Sequence, residues 1–123
     1  MTIEQVKQIT TQIGKAIAQQ IDKDNPDEVV GKIAELSSLL ASSSHAVALS
    51  EMIYNEKIAE LAQSTAYAGM TATDKKMIFA GRAKTEIYYV TLAERQNKAL
   101  THQIDGLRSI ISYLKSEMQN IPQ

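Results

Sequence analysis

The chain has 123 residues, 44% hydrophobic but only 5% aromatic, with no cysteine and no tryptophan. That length holds one domain with a modest core, and the missing thiol excludes disulfides, thiolate nucleophiles and cysteine-ligated metals. Net charge is only −1, yet residues 1–68 carry five lysines against nine acids while residues 69–123 carry eight basic residues against five acids. The C-terminal part is therefore basic and the rest acidic.

No stretch alternates with period two for long enough to suggest a strand, whereas apolar residues recur at three-four spacing throughout, which predicts an all-α protein. A first helix is expected over residues 2–21. Thr2 can cap it, with Gln5 at the capping-box distance, and Val6, Ile9, Ile13, Ala16, Ile17 and Ile21 form its apolar face. Gly14 costs about 1 kcal/mol of helix propensity relative to alanine and marks a close approach of another helix. The stretch Asp22–Pro26 ends it.

Asn25-Pro26-Asp27-Glu28 is a strong start signal: an N-cap, a proline at the first helical position and two acids at the positive helix end. The second helix is expected over residues 26–68, a rod on the order of 60 Å, with Gly69 closing it. Its stripe reads Val29, Ile33, Leu36 and Leu40, then Val47, Leu49, Ile53, Ile58 and Leu61. Between the two halves lies Ala41-Ser42-Ser43-Ser44-His45-Ala46, small enough to admit a neighbouring helix and rich enough in serine to be the place of a bend.

Thr71 or Thr73 can cap a third helix over residues 73–120, which Pro122 closes. Its early stripe, Phe79, Ala83, Ile87 and Val90, is close to a straight-helix period. From there the seam Val90, Ala93, Asn97, Leu100, Ile104, Leu107, Ile111, Leu114, Met118 and Ile121 alternates steps of three and four without a fault. Such a stripe requires partner helices.

Asn97 is the polar residue on that seam. It reads either as a register residue bonding its counterpart in a parallel dimer, or as an edge residue of an intramolecular bundle reaching water. The flanks favour the second. One is Thr101, Arg108, Lys115 and the other Gln96, Gln103, Ile110, Glu117, so a parallel dimer would form no ion pair across them. A long antiparallel hairpin of the second and third helices, with the first folded against it, is expected, together with a homo-oligomeric contact through the seam.

Chemistry finds little support in the pattern. No serine sits in a nucleophile elbow, the glycines are dispersed, and neither His45 nor His102 has a Glu at the spacing of a helical di-metal site. His102 and Asp105 share a face opposite the seam and read as solvated. An enzyme, a cofactor, a metal and a small-molecule substrate are not expected. The longest uncharged run, Leu36–Ser50, is too short to span a bilayer, and no targeting signal is visible, so cytoplasm is the expected setting. Lys84, Arg95, Lys98, Arg108 and Lys115, interleaved with tyrosines, could track phosphates. The favoured reading is instead that the basic helix answers the acidic one beside it.

Ala83-Lys84-Thr85-Glu86, Leu92-Ala93-Glu94-Arg95-Gln96-Asn97-Lys98-Ala99-Leu100 and Ile104-Asp105-Gly106-Leu107-Arg108-Ser109-Ile110-Ile111-Ser112-Tyr113-Leu114-Lys115-Ser116-Glu117 together resemble small all-helical proteins of phages and prophages, encoded near single-strand annealing recombinases or other DNA-metabolism genes. The resemblance covers roughly residues 50–118 and leaves residues 1–28 outside. It implies a phage origin, the host cytoplasm and an accessory role in recombination or replication through a phage or host protein or nucleic acid, with no catalytic residues to carry over. A structural or adaptor module, such as an assembly chaperone or an inhibitor of a host protein, is the alternative.

Overall fold

The computed structural model describes residues 2–119. Four α-helices follow in order: α1 (Ile3–Ala18), α2 (Pro26–Gln63), α3 (Ala72–Arg82) and α4 (Lys84–Gln119), with no strand among the described residues. Long helices α2 and α4 form an antiparallel hairpin, and α1 packs into one side of it. Ile121 of the seam and Pro122 lie outside the described residues.

The helix starts follow local chemistry. The Thr2 N–H donates to Gln5 Oε1 at 3.0 Å. Asn25 Oδ1 accepts from the N–H groups of Asp27 and Glu28 at 3.0 and 3.4 Å, and Thr71 Oγ1 accepts from Asp74 N–H at 3.1 Å. Each satisfies donors that a helix start otherwise leaves bare.

The helix ends differ from expectation. The first helix stops at Ala18 rather than Ile21, because Gln19 turns extended at φ −69°, ψ 121°. The second stops at Gln63, five residues short of Ala68. Ser64 is extended and its hydroxyl accepts from Ala66 N–H at 3.3 Å, the local competition that serine offers a helical backbone. One 3₁₀ turn follows over Thr65–Tyr67, and Gly69 takes the left-handed φ of 84° that the reversal requires. The third helix is interrupted at Ala83 (φ −104°, ψ 19°), two residues after Gly81. Through the serine-rich stretch, by contrast, α2 runs without interruption.

The core sits at one end. Ile13, Val29, Leu36, Leu100, Ile104 and Leu107 are buried together, with Ile17, Ile33, Leu40 and Ile111 packed against them. This three-helix body contains all of α1. Beyond the start of α1, the two long helices continue as a two-helix arm capped by the turn and α3. In the arm only Leu61 and Ala83 are buried among the described residues, whereas Ala46, Ser50 and Ala93 lie level with the N-terminal half of α1 in the body.

Candidate interaction faces

The seam of α4 is used inside the chain. Ala93, Leu100, Ile104 and Leu107 are buried and Val90, Asn97, Ile111 and Leu114 half-buried, whereas Met118 is 66% exposed. Asn97 takes the intramolecular of its two expected patterns, with a serine where water was expected. Its Nδ2 donates to Ser43 Oγ at 3.1 Å and to Ser44 Oγ at 3.5 Å, so it ties α4 to α2 within one chain. The bond is short enough to form because the facing residues are small, letting the two backbones approach.

One flank of the seam belongs to α1. Gln96 Nε2 donates to the Thr10 carbonyl at 2.8 Å, and Gln103 Nε2 reaches the Ile17 carbonyl at 3.5 Å. Both steps are seven residues, so α1 runs parallel to α4 in matched register. A Cβ on Gly14 would stand 3.4 Å from Gln96 Nε2, an ordinary contact with the end of one side chain. Gln96 Oε1 is buried without a partner.

Lys32 is the group that sequence reasoning passed over. Its side chain is 4% exposed, and its ammonium donates to the Ala16 carbonyl at 2.6 Å and to Glu35 Oε1 at 3.1 Å. A buried ammonium is tolerated only where it is paired, and here it meets the carbonyl end of α1, where a cation is favoured. The signal was present: a lysine three residues after Val29 and four before Leu36 stands inside the apolar stripe. An open cleft of about 530 Å³ lies beside it, lined by Ile17, Ile21, Lys32, Gln103, Gly106 and Leu107 among others.

The basic residues stand outside. Lys84, Arg95, Lys98, Arg108 and Lys115 are all exposed; by helical register Lys84, Arg95 and Lys98 lie on the side of α4 away from the seam, while Arg108 and Lys115 flank the seam. Among the described residues the ion pairs are Lys32–Glu35 and Arg108–Asp105, both within a single helix. The basic helix therefore does not answer the acidic α2 through ion pairs across the hairpin. Small and apolar residues line the contact, which turns the charges outward. Arg108–Asp105, at 3.8 Å with both side chains about two-thirds exposed, contributes about 0–1 kcal/mol.

Of the tyrosines on this helix, Tyr88 is 58% and Tyr113 62% exposed. Tyr88 stands edge-on to Tyr89 with ring centroids 5.1 Å apart. The Tyr113 hydroxyl donates to Glu117 Oε1 at 2.8 Å, and that bond, with the carboxylate's charge, raises the phenol's pKa above its ordinary value.

His45 and His102 are exposed, and no group of three or more His, Asp or Glu side chains among the described residues is placed to hold a metal ion. No described helix is long and apolar enough to cross a membrane. The chain matches no family model, no curated protein and no solved structure.

Proposed function

We propose that this chain is a non-enzymatic helical interaction protein, an accessory factor in phage DNA recombination or replication. It docks the outer side of α4 onto an acidic surface of a protein or nucleic acid. One observation carries the reading: the cations of α4 are exposed, Lys84, Arg95 and Lys98 on its outer side, and among the described residues no ion pair to α2 occupies them. The phage setting rests on the resemblance over residues 50–118.

Fluorescence anisotropy with single-stranded DNA at two salt concentrations tests the nucleic-acid version. Phosphate contacts release counterions, so binding at low salt should fall steeply as salt rises, and Arg95→Glu with Lys98→Glu should abolish it. No binding at low salt overturns direct nucleic-acid contact.

A second reading, an adaptor, assembly chaperone or inhibitor of a host protein, is favoured by a different observation. Five of the eight large hydrophobic residues exposed among the described residues, Met52, Met70, Met77, Ile87 and Tyr88, lie on the arm. Flexible methionines suit a surface that adapts to a protein partner. On this reading Met77→Asp, 70% exposed in the wild type, weakens capture of that partner while Arg95→Glu does not.

A further inference from the structure

Helix α1 stops at Ala18, but the groove it fills does not. Gln96 and Gln103 of α4 donate to the Thr10 and Ile17 carbonyls of α1, and the next position at that spacing, Ile110, has no turn of α1 beside it. From Gln19 the chain turns extended and leaves the open cleft of about 530 Å³ where further turns of α1 would lie. Its walls come from three parts of the chain: Ile17 and Ile21, Lys32 near the start of α2, and Gln103, Leu107 and Ile110 of α4. Ile17, Ile21 and Ile110 are half-buried and pack against the buried cluster that includes Leu107. Gly106 opens the α4 side. A Cβ there would meet nothing within 4 Å, so packing does not require a glycine in the middle of a helix that disfavours it.

The charged side chains at the cleft have one sign. Lys23 and Lys32 line it, and none of the lining residues is acidic. Of the acids beside them in sequence, Asp22 Oδ1 accepts the Asp24 N–H at 3.0 Å and Asp105 faces Arg108 at 3.8 Å. Glu35 pairs with Lys32 from outside the cleft, and Asp24 is exposed beyond its lining. The carbonyls at the end of α1 are occupied too: Lys15 by the Gln19 N–H, Ala16 by Lys32 and Ile17 by Gln103. Lys32 uses two of the three donors of an ammonium on Ala16 and Glu35, and Lys23 has no ion pair among the described residues.

We propose that this cleft binds a small amphipathic carboxylate, its apolar body against Ile17, Ile21, Leu107 and Ile110 and its carboxylate against Lys23 and Lys32. An apolar wall with a few placed polar groups is the make-up of a small-molecule site, and the volume lies in the usual range for one. The lysines select an anion over a cation. The wall selects an anion with an apolar body over an inorganic one, because covering that wall removes apolar surface from water. The cleft opens on the α1 side of α4, away from the outer side that carries Lys84, Arg95 and Lys98. The inference therefore goes beyond the docking role proposed for those cations, and either can fail without the other.

Titration of the full chain with octanoate, followed by amide NMR at neutral pH and constant ionic strength, reads the outcome. The expected result is saturable shifts centred on residues 17–23, 32 and 103–110, half-complete at about 1 mM or below. Octylamine, of the opposite charge, and acetate, without the apolar body, should each bind at least about tenfold more weakly. Gly106→Leu fills the cleft and should abolish the shifts, with circular dichroism showing unchanged helix. Lys23→Glu, exposed and outside the helices, reads the charge independently of α4 and should weaken octanoate by about threefold. Arg95→Glu should change nothing. The absence of saturable shifts up to about 10 mM octanoate overturns the proposal. So does octylamine binding as tightly as octanoate, or an affinity that neither Gly106→Leu nor Lys23→Glu lowers.

Discussion

The body and the arm are built from the same two helices and solve the same problem differently. In the body, α1 fills the groove, and large branched residues can meet from three sides: Ile13 from α1, Leu36 from α2, Leu100 and Ile104 from α4. In the arm there is no third helix, and two helices alone enclose little: among the described residues only Leu61 and Ala83 are buried there, with Ile53, Tyr54 and Ile58 half-buried. The two strategies leave different surfaces. The arm leaves Met52, Met70, Met77, Ile87 and Tyr88 exposed, whereas the larger body leaves only Val30, Tyr113 and Met118 among the described large hydrophobics. Where its third helix stops, the hairpin thus leaves large apolar side chains exposed.

The sharpest way to break this comparison is to truncate one large residue in each region. Leu100→Ala, at a position 0% exposed in the body, should cost about 2–5 kcal/mol in urea unfolding, because three helices hold the cavity open. Leu61→Ala, 9% exposed in the arm, should cost clearly less, since a two-helix contact can close over the loss. Equal costs would remove the distinction.

Lys32 tests what fastens α1 to the body. Lys32→Ala strands the Ala16 carbonyl and removes a buried stem, and should lower stability by about 1–3 kcal/mol. Glu35→Gln, at a side chain 43% exposed, should cost under about 1 kcal/mol. A larger effect from Glu35 would mean that the ion pair, not the carbonyl, holds the ammonium.

Within the body, level with the middle of α1, stands Asn97. Asn97→Leu should cost about 1–3 kcal/mol by crowding Ser43 and leave the sedimentation mass unchanged, because the amide bonds within one chain. A seam asparagine that set oligomeric state would behave oppositely: its replacement by leucine changes the particle mass.

Smallest of all is Gly14→Ala. Helix propensity favours it by up to about 1 kcal/mol, reduced by the 3.4 Å approach to Gln96 Nε2. A net loss in thermal unfolding would show that the α1–α4 contact is tighter than that distance.

Much of this architecture is legible in the residues, because helix starts and apolar periodicity are local. Asn25-Pro26 and Thr71 begin helices where their chemistry dictates, and the seam from Val90 to Leu114 faces its partners as its spacing requires. The ends were less legible. Ser64 and Gln19 leave the helix through backbone turns that no strong breaker announces, and Ala83 interrupts a run that reads as continuous. The partner of Asn97 was illegible for another reason. Whether an amide meets its own copy, water or a serine 54 residues away depends on which helices pack together, and spacing within α4 does not encode that. The charge split misled for the same reason: a net sign per helix says nothing about which side of the helix the charges occupy.

Amide hydrogen exchange along α2 and α4, in a dilute sample kept monomeric, tests the division between body and arm most directly. Opening the body breaks three-helix packing and opening the arm breaks only two. The account predicts strong protection over residues 29–46 of α2 and 97–111 of α4, with weaker protection over 51–63 and 84–92. Uniform protection along both helices, or stronger protection in the arm, would contradict it.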